Sequence, residues 1–472
     1  MWSCNEWLNV HPREHTAEEM LFSREVGFKE ALIGAYQLAA RQGLYGERLT
    51  FGFLDQLAQR YLWINARQET PFQDPAFYDF RTDASQGQIN AIWRDMYRVI
   101  ANLNNLLGWL DRNGSVIATP GMYEIIRGEA LALRSFLYFD LLRMFGPIFK
   151  EDPTAPSIVF RTELNRDFRG LETAEDMVNY IIRDLNIARE LLHGNDPLNF
   201  ALFNPGGTPK MGATPDEDPF LIFRFKRMNE LAVKALLARV YLYKGDHANA
   251  RAYAQKVRNS GHFSLARTNL NNAILASEII FALHIHRIED NVTSRIDANS
   301  SFVINDRDNF FSRLFNIEQD GENDFRVRLG AGFEVTHSVV FTMNKFNQTG
   351  LPHGVRGAMP LIRLAEMYYI LSEAAETLEE ATFWLNQVRE ARGILPLPVF
   401  SNVEEKMRAI TIEYRKEFFG EGQMWFFYKR IGADVDTFFN MENILPELTS
   451  RHFVFPVPDD EFLFGGIPKP VE

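Results

Sequence analysis

Between Gln88 and Leu110 the apolar residues fall at Ile89, Ile92, Trp93, Met96, Ile100, Leu103 and Leu107. Steps of three and four bring these side chains onto one face of a helix, with the polar positions opposite. Asn113-Gly114 and Pro120-Gly121 break that run. A second stripe follows at Ile126, Ala130, Leu133, Leu137, Leu141 and Met144, and Gly146-Pro147 stops it. Two antiparallel helices joined by a short turn are predicted. Another helix opens after Thr173, whose hydroxyl can cap it, with Glu175 and Asp176 in the first turn, and runs to about Leu192. From Asp196 to Ile222 the prolines 197, 205, 209, 215 and 219 interrupt any period, which predicts a surface excursion over 196–222.

The segment Ala235 to Val257 has the pattern of a tetratricopeptide repeat. Ala238 stands where paired helices cross closely, Tyr241 is the packing aromatic, Gly245-Asp246 makes the turn, and Ala250 is the small residue of the second helix. A weaker echo runs from Leu361 through Ala375 and Ala381 to Val388, ending at Gly393. Such pairs stack into a superhelix. Between His262 and Pro352 the helical period disappears, and short β-prone runs stand at Ile279 to Ile285 and Val339 to Phe346. Helices resume at Leu361 and after Asn402, whose Asn-Val-Glu-Glu405 start resembles a capping box. The predicted fold is mostly α: a tetratricopeptide-like right-handed helical superhelix with an inserted loop-rich lobe of a few short strands. Its parts are an extended segment over 1–25, a helical core over 26–261, the lobe over 262–352, a second helical part over 353–452, and an extended tail over 453–472.

Composition narrows the function. The net charge is -12 and the pI about 5.5, with no cluster of Lys and Arg to neutralise phosphates, so nucleic acid is not an expected ligand. The most apolar helix-like run, Ala130 to Phe149, is broken by Arg134, Asp140 and Arg143, so no membrane span is predicted. Aromatic residues make up 13%, including 40 Phe, which supplies core volume and leaves rings for recognition surfaces. The single cysteine, Cys4, follows Ser3, and a small residue followed by Cys is how a bacterial lipoprotein cleavage site ends.

Several blocks resemble one family in its own order along the chain. They are Cys4-Asn5-Glu6-Trp7, Gly27-Phe28 through Tyr36, Ile92-Trp93-Arg94-Asp95 through Asn104, and Arg127-Gly128-Glu129-Ala130-Leu131-Ala132-Leu133-Arg134 through Pro147. Glu413-Tyr414-Arg415-Lys416-Glu417-Phe418, Gly420-Glu421-Gly422-Gln423-Met424-Trp425 and Phe455-Pro456-Val457-Pro458 complete them. The sequence is similar to SusD/RagB outer-membrane nutrient-binding lipoproteins. The resemblance implies four tetratricopeptide-like pairs and a variable lobe. It also implies a lipid on Cys4, a place on the outer face of the outer membrane, and a SusC-like TonB-dependent transporter as partner that receives an oligosaccharide.

The residues themselves leave three functions open: non-catalytic capture, a helical glycan-degrading enzyme, and a lid of the transporter with little affinity of its own. A glycosidase needs two carboxylates about 5 to 9 Å apart, and Glu129, Asp140, Glu413, Glu417 and Glu421 are the acids of two of these stretches, Arg127 to Gly146 and Glu413 to Trp425. The competing reading pairs them with the neighbouring Arg residues. His284 and His286 alternate on a predicted strand without a third ligand nearby, and there is no phosphate-binding loop or nucleophile elbow, so neither metal nor cofactor is expected. A sugar platform needs flat rings beside amide or guanidinium groups. The candidates are Tyr61, Trp63, Phe77, Tyr78, Phe80 and Arg81 ahead of the Trp93 helix, and Phe302, Asn305, Phe310 and Phe311 in the lobe. The competing reading puts these rings in the core or against the transporter.

Overall fold

The structure is a computed structural model. It describes residues 13–61, 73–165, 167–202, 210–267, 274–295, 304, 310–320, 323–328, 332–336, 340–439, 445 and 447–463. Its frame is a chain of helices, each packed on the next: Glu25–Ala39, Asp83–Asn113, Met122–Phe145, Ala174–Leu192, Glu230–Lys244, His247–Arg258, Leu364–Glu373, Leu378–Ala391 and Val403–Glu417. This is the stacked-pair architecture expected of tetratricopeptide-like repeats.

Local chemistry sets the helix ends. Thr82 caps Asp83–Asn113 by accepting the Ser85 N–H at 3.3 Å, and Thr173 accepts the Asp176 N–H at 3.0 Å. The first of these helices begins six residues before the apolar stripe, because its opening turn is polar and a hydrophobic pattern does not register it. At the Ala235–Val257 repeat, Ala238 and Ala250 are fully buried and Tyr241 stacks on Tyr253 at 5.7 Å. Gly245 takes φ +83°, a left-handed conformation that ends the helix, and the Asp246 side chain then caps the next one at the Asn249 N–H. Helix Met122–Phe145 is buried almost all round. A Cβ on its Gly128 would lie 2.8 Å from Leu192 Cγ, so only glycine lets the Ala174–Leu192 helix approach this closely.

The segments expected to be extended, 1–25 and 453–472, contain short helices at Arg13–Leu21 and Asp459–Leu463, and two further expectations need correction. Leu361 does not open a helix: it lies on strand Ala358–Arg363, which pairs antiparallel with Ile279–His284 in the register Leu283 to Met359. Both strands are buried nearly throughout, so this ribbon belongs to the core, and long-range pairing overrides the local apolar run. The helix starts at Leu364. Secondly, the stretch between His262 and Pro352 contains helices, at Ile288–Thr293, Phe310–Phe315 and Ile317–Asp320. At six residues or fewer they are too short to show a period. A second ribbon there pairs Phe333–Thr336 with Val340–Met343. Among the described residues no helix is long and apolar enough to cross a membrane.

Candidate functional site

The rings picked out in the sequence fall into three groups. Tyr61, Tyr78, Phe80, Phe310 and Phe311 stand inside the protein, all at 8% exposure or less. The Tyr61 hydroxyl donates to the Phe51 carbonyl and that of Tyr78 to the Leu57 carbonyl, each at 2.6 Å. Phe80 meets Phe455 edge-on at 5.4 Å, Phe310 meets Phe439 at 5.2 Å, and Phe311 stacks on Phe341 at 4.1 Å. Their hydroxyls and ring faces are thus taken by the fold. Phe77, at 40% exposure, and Arg81, paired with Asp79 at 3.2 Å, face solvent. Trp63, Phe302, Asn305 and Cys4 lie outside the described residues.

Glu129, Asp140, Glu413, Glu417 and Glu421 are buried and paired. Glu129 binds Arg224 at 2.6 Å and Arg227 at 2.8 Å, and accepts the Tyr36 hydroxyl at 2.9 Å. Asp140 accepts the Tyr45 hydroxyl at 2.7 Å and pairs with Arg143. Near the end of the chain a larger network forms. Glu417 meets Arg363 at 2.5 Å, Arg326 at 2.8 Å and Arg392 at 2.9 Å; Glu413 meets Arg389 at 2.6 Å and Lys416 at 2.8 Å; Glu421 meets Arg363 and Lys345. Glu278, Asp320 and Asp324 complete it. Burial alone would raise the Glu413 and Glu417 carboxyls, but the surrounding cations outweigh it and hold both well below the ordinary range. A general acid needs the opposite shift and an open approach for substrate. These groups bind the helices together.

His284 Nδ1 lies 3.3 Å from Lys226 Nζ, and the same amine donates to the Arg356 carbonyl at 2.9 Å. Among the described residues no three His, Cys, Asp or Glu side chains gather as a metal site.

The helical frame also encloses a groove of about 830 Å³. Its long wall is one face of the Val403–Glu417 helix, carrying Glu404, Met407, Arg408, Thr411 and Arg415 at helical spacing. Opposite stand Phe149, Tyr243, Lys244 and His247, with Arg430 and Asp434 at one end. Helix ends and loops from several repeats meet here, so no local sequence pattern announces the groove. A volume of this size suits several sugar units or a short peptide.

A second feature escaped the sequence reading. Phe383 is half exposed and meets Trp384 at 4.9 Å; Trp384 meets Tyr368 at 5.9 Å, and the Arg258 guanidinium lies 5.3 Å over the Trp384 ring. The signal was present. The buried stripe of this helix runs through Ala381, Leu385 and Val388, and Phe383 falls off it.

Comparison with known proteins follows the same lines. A family model described as SusD-like, starch-binding associating with outer membrane, matches residues 6–198, and one described as the SusD family matches residues 338–453. A SusD-like protein of Formosa agariphila is 23% identical over 262 residues, which is 54% of this chain and 43% of the relative. A SusD-like protein of Bacteroides ovatus is 25% identical over 206 residues, 41% of this chain and 31% of the relative. The chain thus matches less than half the length of these curated relatives. Solved structures align over far more. A SusD superfamily protein of Bacteroides thetaiotaomicron superposes with a TM-score of 0.71 at 21% identity, covering 94% of this chain and 99% of that one. A SusD-like carbohydrate binding protein of Bacteroides vulgatus gives 0.70 at 19% identity over 94% and 97%. At such identities the likeness is one of fold.

Proposed function

Because this chain belongs to the SusD/RagB family, we propose that it captures an oligosaccharide at the outer membrane without altering it and passes it to a SusC-like TonB-dependent transporter. The family is associated with starch binding and the outer membrane. In this reading a lipid on Cys4 tethers the protein to the cell surface, and the ligand meets rings on the solvent side. Phe77 and Arg81 are the exposed members of the candidate set; Trp63, Phe302 and Asn305 are proposed to join them.

One observation carries the non-catalytic part: Glu129, Asp140, Glu413, Glu417 and Glu421 are buried against cationic and hydroxyl partners, and the cations around Glu413 and Glu417 hold both ionised. An acid that stays ionised inside an ion-pair network cannot protonate a leaving oxygen. The lid reading differs in one respect only, the affinity of the isolated chain for glycan.

The test is a screen of the purified chain against immobilised glycans of several classes, reading both retention and released sugar. Retention without release, reduced at least tenfold by Trp63→Ala or Phe77→Ala, is the expected result. Released sugar would overturn the non-catalytic reading. Silence on every glycan would overturn capture by this chain alone and favour the lid.

A further inference from the structure

A smaller cavity of about 30 Å³ adjoins the 830 Å³ groove, and Leu242, Tyr243 and Arg430 line both. Three polar atoms on residues lining the small cavity are buried with no hydrogen-bond partner among the described residues: Arg143 Nε, Arg239 Nη1 and the Tyr243 hydroxyl oxygen. Buried polar groups are paired in the great majority of folded proteins, so three together call for an explanation.

The rest of each group is firmly placed. Arg239 grips both oxygens of Glu366 at 2.6 Å and donates to the Leu361 carbonyl at 2.7 Å. Arg143 pairs with Asp140, reaches Gln423 Oε1 at 3.4 Å, and lies flat 3.7 Å from the centre of the Phe426 ring. Tyr243 is wedged between Phe139 and Phe149 at 5.3 Å from each. None of the three can turn away without breaking these contacts. Two of the vacant positions are N–H donors only, and the third is a hydroxyl able to donate, so what fits among them is an acceptor.

The charge points the same way. The chain carries -12 overall, yet the combined linings of the two cavities hold seven Lys or Arg against five Asp or Glu. The small cavity has room for about two waters or one carboxylate group, and none for a sugar ring.

We propose that the groove takes an acidic oligosaccharide, with its rings along the Val403–Glu417 face and one carboxylate seated among Arg143, Arg239 and Tyr243. This rests on the carbohydrate-capture reading and adds the class of glycan and the place where its charge is held. Both guanidiniums keep their protein partners, and the ligand completes them. Specificity then comes from cost: a neutral glycan leaves the three donors to water, whereas a uronate supplies charge-assisted bonds to positions that are already fixed.

The test is calorimetric titration of the full chain with oligogalacturonate, oligoalginate and hyaluronan fragments, each beside its carboxyl-reduced counterpart. At least one acid form is expected to bind tenfold or more tighter than its reduced form. Tyr243→Phe, which removes only a hydroxyl and keeps the ring, is expected to weaken the acid form roughly tenfold and to narrow the gap between acid and reduced forms. A crystal structure of the complex should show the carboxylate at these three donors. Equal affinity for acid and reduced forms, an unaffected Tyr243→Phe variant, or ordered water alone at the three donors beside an acid glycan bound elsewhere would each overturn the proposal. If neutral glycans bind and acid ones do not, this inference falls while capture stands; if no glycan of either kind binds, both fall.

Discussion

Asp55 shows how far burial can move one group. Its carboxylate is fully buried and accepts the backbone N–H groups of Gly420 at 2.6 Å and Gly422 at 3.1 Å. Burial pushes its pKa up to about 6, against the opposing pull of Arg60 and those two N–H groups. The folded value is above that of an unfolded Asp, near 4, so the native state binds this proton more tightly. Its contribution is therefore fully present below about pH 4 and is lost as pH rises through about 6. Asp55→Asn should flatten this component: between pH 4.5 and 7 the variant should lose on the order of 2 kcal/mol less stability than the parent in urea unfolding. An identical slope in both proteins would show that Asp55 does not titrate in that window. Nothing in the sequence around Asp55 foretells this, because its partners are more than 360 positions away. The aromatic rings were hidden at much shorter range. Tyr61 and Tyr78 donate to the carbonyls of Phe51 and Leu57, 10 and 21 positions earlier, and no hydrophobic period marks either ring as interior.

At the scale of elements, the sequence is legible wherever one helix presents one stripe. Ile89 to Leu107, the Thr173 cap and the Gly245-Asp246 turn all carry local signals, and the structure has helices and a cap or turn at each. Legibility fails where an element is held by distant partners. Strand Ala358–Arg363 reads locally as the start of a helix, yet Arg363 at its end is drawn into the buried charges of Glu417 and Glu421. That network links this strand to the Leu378–Ala391 and Val403–Glu417 helices through Arg389, Arg392, Glu413 and Glu417. Removing one partner of a buried pair leaves the others uncompensated, which costs about 3–5 kcal/mol. Arg363→Met should therefore lower the unfolding free energy by about that amount, as read by guanidinium titration. Arg408→Ala, at the exposed pair with Glu404, should shift it by about 0.5 kcal/mol or less. Similar small changes in both variants would mean that Arg326, Arg392 and Lys345 compensate Glu417 and Glu421 without Arg363.

For the whole molecule the question is whether a stack of helical pairs unfolds pair by pair or as one body. Solenoids hold mainly through neighbours, so distant repeats can melt separately. Here the end of the chain returns to its beginning. Phe455 stacks on Trp425 at 4.9 Å and touches Phe53, Phe80 and Phe145 at 5.4 to 5.7 Å, and its N–H donates to the Met144 carbonyl at 3.0 Å. Trp93 donates to Glu461 at 2.9 Å, and Asp55 holds the Gly420–Gly422 turn. The early helices and the late ones thus share one aromatic centre, and the ends of the superhelix cannot separate without opening it. A single calorimetric transition is expected for the parent protein. Phe455→Ala removes the ring common to these contacts and should cost about 3–5 kcal/mol. It should also split the transition in two, with the early helices and the late ones melting apart. A destabilised variant that still melts in one transition would place the coupling in the stacked helix pairs themselves, since each of those interfaces would then suffice to pass unfolding to the next.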